Sequence, residues 1–181
     1  MFFGGFQFFQ GFLAQKNSLE EAKELVSIDT QSNIEMGQDL EINTNFKPSI
    51  GETIGLLEIP SIQGTLPIIE GTNPDELEKG VGHYRGTAFP MQDEQIVLSG
   101  HRDTVFRNLG DVKVGDTITV NLPYGKKTYE MVDSKIVDAN DRSIIKPTGE
   151  EELVITTCYP FSYVGNAPDR YILYAKPIKT D

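Results

Sequence analysis

Residues 151–161 read EELVITTCYPF. Leu153 to Thr157 are apolar or β-branched, the composition of a strand. The run stops at Cys158, and Tyr159 and Pro160 break it. The chain returns through Tyr159–Asp169 to a second strand-like run, RYILYAKPI at 170–178. If these two strands pair antiparallel, the end of one lies beside the start of the other, and Cys158 and Arg170 share one end of the sheet. Cys158 is the sole cysteine. It is either a small buried filler beside a strand or a thiol held rigidly on one side and open to a cleft on the other.

Outward from this pair the chain continues to read as short strands between turns. TIGLLEIPSI (53–62) and TLPIIEG (65–71) are strands, and NPDELEKGVGHY (73–84) is one helical turn ended by Gly80, then a loop carrying His83. EQIVLSGHRD (94–103) is a strand over Ile96–Ser99 that breaks at Gly100, where the missing Cβ leaves room for a close backbone or ligand approach. DTVFRNLGDV (103–112) is a short helix capped by Asp103. DTITVNLPYGKKTYEMVDSKIVDA (116–139) is a hairpin about PYGK, and NDRSIIKPTGEE (140–151) is a turn-rich connection. Seventeen glycines and ten prolines fit this turn density. The pattern predicts a mostly β fold with short helices, a small closed or partly open barrel, with a two-sheet sandwich as the rival.

The first residues differ. MFFGGFQFFQGFLAQKNS (1–18) holds six of the ten phenylalanines within its first twelve positions and no charge before Lys16. It is shorter than the roughly 20 apolar residues that cross a bilayer and lacks the basic start and cleavage site of a signal peptide. It reads as the tail of a membrane anchor, as a surface or core-packing helix with Phe2, Phe6, Phe9 and Leu13 at helical spacing, or as an unstructured remnant. Ser18-Leu-Glu-Glu21 is a capping box, predicting a helix from Ser18 to about Ser27. Residues 28–50 read as a polar linker, so the expected division is an N-terminal extension over 1–49 and a compact domain over 50–181.

Net charge is −11, which argues against nucleic-acid binding and favours cationic or amine-bearing partners. One cysteine excludes an internal disulfide and a Cys-based zinc or iron–sulfur site within one chain, and two histidines argue against an all-protein zinc site. No nucleotide-loop pattern is present, and the acidic residues near Glu94 and Glu150–Glu152 lack calcium-ligand spacing.

His101 stands where Cys158 stands, at the end of an apolar strand, with Gly100 before it. Arg170 opens the last strand. Taken singly, His101 is a surface or hydrogen-bonded histidine and Arg170 a strand-edge surface arginine. If the His101 strand runs beside that of Cys158 in the same direction, all three converge, and together these residue types make an acyl-transfer site. The thiolate is the nucleophile, and a nearby cation favours it over the thiol. Histidine protonates a leaving amine and deprotonates an incoming one. Arginine offers a fixed fork of donors to a carbonyl or developing oxyanion. No metal or organic cofactor is required.

LSGHRDTVFRNL, VITTCYPFSYVGNAPDRYILYA and GVGHYRGTAFP together resemble the sortases, the cysteine transpeptidases that attach proteins to the envelope of Gram-positive bacteria. TTCYPF…APDRY looks most like the class D group, and the resemblance covers about residues 52–178. It implies a closed eight-stranded barrel. By matching motif it implies His101 as general acid/base, Cys158 as nucleophile and Arg170 as the oxyanion- and substrate-positioning donor. It further implies cleavage of an LPxTG-like signal after threonine, with class D members favouring LPNTA-like signals, and transfer to an amine of a cell-wall precursor or to a lysine. Partners would be proteins carrying a C-terminal sorting signal. The location would be the extracytoplasmic face of the membrane, through an N-terminal anchor. His83, Val105, Leu109, Thr157, Tyr159, Pro160 and Asn166 are expected to contact the substrate, and the Asp138–Glu152 connection to wall its groove.

One departure stands out. The family's run before the cysteine is Thr-Leu-any-Thr-Cys, and here it is Val154-Ile155-Thr156-Thr157-Cys158. Three rivals stay open: a hydrolytic cysteine endopeptidase, an L,D-transpeptidase (which usually shows His-Gly before its cysteine, where Thr156 and Thr157 stand) and a non-catalytic envelope β-domain with Cys158 buried.

Overall fold

In the computed structural model, residues 3–36, 46–162, 165 and 167–178 are described. A long helix α1 (Phe3–Met36) precedes eight strands: β1 (Thr53–Ile59), β2 (Gly64–Glu70), β3 (Val81–His83), β4 (Gln95–Gly100), β5 (Thr117–Leu122), β6 (Gly125–Asp138), β7 (Glu152–Tyr159) and β8 (Asp169–Pro177). A short helix α2 (Pro74–Lys79) crosses from β2 to β3. The strands close into a barrel in the order β1-β2-β3-β4-β7-β8-β6-β5. Two neighbouring pairs are parallel, β2 with β3 and β4 with β7; β7 with β8 is antiparallel, as the sequence suggested.

Alternation sorts the β7 residues between two cores. Leu153 and Ile155 point into the barrel with Ile96, Leu98 and Leu173, while Val154 points outward with Val97 and Ile172. The outward set is not solvated. Ile144 and Ile145 of the β6–β7 connection cover it, together with Tyr84 and Tyr174. A sheet segment buried on both faces explains why IVL, LVI and YIL run apolar without alternation. Each of Val97, Val154 and Ile172 is buried to 1% exposure or less, worth roughly 1.5–3 kcal/mol apiece. That covered outer face is the floor on which the site is built.

Four expectations change. The predicted helix at Ser18–Ser27 is the middle of α1, and Ser18 is a buried interior residue, not a cap. Glu21 instead accepts a hydrogen bond from the Thr53 hydroxyl at 2.7 Å, and Leu19, Ala22 and Val26 pack on Leu56 of β1. A capping box marks a helix start only where the preceding chain leaves the helix, and here the helix is already running. The linker expected from residue 28 is still helical to Met36, residues 37–45 lie outside those described, and Phe46 packs edge-on against Phe89 and Tyr124. His83 ends a strand and not a loop; a Cβ on its neighbour Gly82 would lie 2.4 Å from the Gly71 carbonyl oxygen, so only glycine lets β3 approach so closely. The 103–112 segment forms turns and a single 3-10 turn at Leu109–Asp111, without a cap at Asp103. Among the described residues no helix is long and apolar enough to cross a membrane.

Candidate active site

Strand register brings three side chains together. Cys158 on β7 stands opposite Arg170 on β8. On the other side of β7, the parallel ladder pairs Ser99 with Thr156 and Gly100 with Thr157, so the next residues along are His101 and Cys158. Cys158, Arg170 and His101 share the parity of Val154, Ile172 and Val97, which makes their face the outer one. All three line a groove of about 390 Å³. Each is half-buried, held from behind and open in front.

The pair is braced from beneath. Thr157 points inward and is 3% exposed, and its hydroxyl donates to the Gly100 carbonyl at 2.7 Å. One bond thus joins the residues that immediately precede the sulfur and the imidazole. Gly100 meets a second demand: a Cβ there would lie 2.6 Å from the Phe106 ring. The space expected for a ligand is filled by Phe106, which the chain folds back through a Phe106 N–H to His101 carbonyl bond of 3.0 Å. Arg170 is steadied through its own strand end, donating to the Asp169 carbonyl at 3.0 Å.

The groove's far wall is the β6–β7 connection, contributing Ala139, Asp141, Arg142, Ile144 and Ile145. It has almost no secondary structure of its own and is tied to the start of β4. The Glu94 carboxylate accepts from the Thr148 N–H at 2.6 Å and the Thr148 hydroxyl at 2.7 Å. Gln95 donates to the Ile144 carbonyl at 3.1 Å and accepts from the Lys146 N–H at 3.2 Å. The Thr148 backbone bond foremost, then its hydroxyl and the Gln95 N–H, hold the Glu94 carboxyl down at about 2. At the loop's end Glu151 accepts from the Tyr129 phenol at 2.5 Å and the Met91 N–H at 3.1 Å. Burial, then Glu151, raises the Tyr129 phenol well above its ordinary range. This clamp was not legible beforehand, because acidic residues ahead of a strand usually signal only a solvated turn.

The residues expected to contact substrate divide. Val105 is half-buried and lies beside His101, in a cleft described below. Tyr159 and Pro160 are half-buried at the end of β7, where Tyr159 packs edge-on against Phe161, itself tilted over Tyr171. Asn166 lies outside the described residues. Thr157 lines the groove's base but commits its hydroxyl to Gly100, so it braces and does not present itself to a ligand. Leu109 is a correction: it is fully buried in the barrel core. His83 is another, at 1% exposure. Its Nδ1 lies 2.7 Å from Glu70 Oε2, its Nε2 lies 3.0 Å from the Ala88 carbonyl, and its ring stacks on Phe89. Both ring nitrogens are engaged inside the protein, which takes His83 away from the groove.

A half-buried thiol with an imidazole and a guanidinium on the flanking strands can open a carbonyl and hold the acyl group as a thioester. Comparison with known proteins agrees with this chemistry. The pattern of the sortase domain matches residues 57–178. Sortase D of Bacillus subtilis (strain 168) is 50% identical over 179 residues, 97% of this chain and 90% of that protein. A Clostridium perfringens sortase D transpeptidase superposes with a TM-score of 0.73 at 28% identity, covering 92% of this chain and 99% of the other. The catalytic domain of B. anthracis SrtD gives 0.63 at 39% identity, over 77% and 96%. A barrel of this strand order, matched over most of its length by sequence and by fold, leaves one assignment: the chain belongs to the sortase family of cysteine transpeptidases.

Proposed function

We propose that this sortase cleaves an LPxTG-like, and in preference an LPNTA-like, sorting signal after its threonine and transfers the threonyl acyl group to an amine of a cell-wall precursor. The observation that carries the roles is the register: Cys158 opposite Arg170, with His101 the next residue along the parallel neighbour. In this reading the Cys158 thiolate attacks the threonine carbonyl carbon. The C–S bond forms, and the Arg170 fork faces the oxyanion. The C–N bond then breaks as His101 gives its proton to the leaving amine, and a thioester remains. An incoming amine attacks that carbon, one proton passes to His101, and the sulfur leaves.

The apolar wall made by Leu77, Tyr84, Ile144 and Ile145 suits the leucine and proline of such a signal. The β6–β7 connection, Val105 and the Tyr159–Pro168 loop would set which signal is preferred. Action at the outer membrane face, on proteins bearing the signal and with an N-terminal tether, follows the family's association with the Gram-positive envelope.

The test is mass spectrometry of the protein with a panel of LPxTG- and LPNTA-type peptides, with and without an amine. A thioester on Cys158 and ligated product are expected. Acid alone at high amine would make it a hydrolase; no adduct on Cys158 with any peptide would refute the reading. Exchange of residues 139–151 for another family member's loop should shift the peptide preference, and unchanged preference would remove that loop from specificity.

A further inference from the structure

His101 lines more than the thiol groove. It also borders a separate cleft of about 350 Å³, walled on the opposite side by α1. Phe12 of α1, Leu66 of β2 and Val105 give this cleft apolar surface, and Glu78 of α2 and Asp103 give it carboxylates. Arg107 is present too, but its guanidinium is folded onto the Asp103 carbonyl oxygen at 2.7 and 3.2 Å. Phe12 is 61% exposed, a large aromatic at the cleft that the protein itself leaves uncovered. Cys158 and Arg170 line the first groove and not this one. His101 thus borders two cavities of different chemistry.

An acyl transfer in two halves needs such an arrangement. The acyl chain stays with the sulfur, while the base must reach the nitrogen of the second substrate. We propose that the cleft between α1 and the His101–Arg107 segment receives the incoming acyl acceptor, a primary ammonium on an alkyl chain such as a lysine side chain. This rests on the thioester chemistry proposed above. The alkyl chain lies against Phe12, Leu66 and Val105. Glu78 and Asp103, both exposed, attract the ammonium. One proton passes from the ammonium to His101, which frees the lone pair. The nitrogen forms the C–N bond as the C–S bond breaks, and its remaining surplus proton goes to the departing sulfur. Two protons leave nitrogen, one reaches imidazole and one reaches sulfur, so charge and atoms balance.

The experiment uses the whole chain, a sorting-signal peptide that acylates it, and two nucleophiles: Nα-acetyl-lysine amide, charged at neutral pH, and hydroxylamine, uncharged there. The readout is the ratio of ligated to hydrolysed peptide, which is internal to each acylated molecule. In the double variant Glu78→Gln, Asp103→Asn the ratio with the lysine amide should fall about fivefold, the scale of two exposed charge contacts. The ratio with hydroxylamine should match that of the unaltered chain. Phe12→Ala should lower the lysine ratio about threefold through lost apolar contact. An unchanged lysine ratio, or an equal fall with both nucleophiles, overturns the assignment while leaving the thioester reading intact. No thioester in the unaltered chain overturns both.

Discussion

The two walls of the thiol groove are built by opposite means. The β4–β7–β8 wall is a hydrogen-bonded ladder buried on both faces, and it fixes His101, Cys158 and Arg170 through register, braced by the Thr157–Gly100 bond. The β6–β7 wall is a connection of turns held by side chains of two consecutive residues, Glu94 and Gln95. The first places the groups proposed to react, where small displacements would cost large factors in rate. The second presents Ile144 and Ile145 partly through the Glu94 carboxylate, which precedes β4 and can be altered without touching a barrel strand. If the proposed roles hold, chemistry and selectivity are mechanically separable in this molecule.

The separation is broken most severely at the ladder. Cys158→Ala should abolish turnover while leaving thermal unfolding within about 1 kcal/mol of the parent, since a half-buried thiol contributes little packing. His101→Ala should cost about 10²–10⁴ in kcat/KM and Arg170→Lys about 10²–10³, because an ammonium lacks the fork. Near-normal turnover of the arginine variant would show that the strand pairing does not set its role.

Next in size is His83→Ala. It should cost about 3–5 kcal/mol in denaturant unfolding, because Glu70 is left buried without its partner. The surviving folded fraction should keep its pH–rate profile. Thr157→Val comes third. Losing the bond to Gly100 leaves a buried carbonyl short of a donor, about 1–3 kcal/mol. It should lower kcat more than it raises KM, since only the sulfur–imidazole relation is disturbed.

The smallest effects belong to the clamp. Glu94→Gln should raise KM for the signal peptide a few fold and spare kcat; an equal loss in both would mean that the two walls are coupled. The pH dependence follows from the same carboxylate. Its value lies below the ordinary 4.5, near 2, so its contribution to holding the loop is complete above about 4.5 and is lost as pH falls toward 2. The Thr148 and Gly149 amide resonances should titrate near 2. A midpoint near 4.5 would show that the loop is free in solution.

Much of the ladder was legible in the sequence, for a physical reason. Cys158 and Arg170 lie on strands joined by one short loop, so their pairing follows from local connectivity. The parallel partner was readable only as a matching pattern, an apolar run ending in glycine or threonine before a polar side chain, because β4 and β7 are far apart in the chain. The two histidines show the limit. Both follow glycine, yet His101 leaves its strand on the outer face while His83 is drawn inside by Glu70 and the Ala88 carbonyl. That difference depends on β3 lying beside β2, a pairing that three residues cannot announce. Likewise Ser18 to Glu21 carried a true local signal that a longer helix overrode.

The insertion of β7 and β8 between β4 and β6 bears on how the molecule comes into being. The imidazole and the sulfur belong to strands whose facing residues are 57 positions apart, and their ladder can zip only once β7, the last strand but one, is available. A chain that has not yet paired β7 has a histidine on an open sheet and no thiol beside it. A one-residue slip in that last zippering would turn the sulfur into the interior. Gain of activity is therefore the sharpest reporter of correct barrel closure that this protein offers, and a refolding trace read by turnover should lag one read by backbone signal.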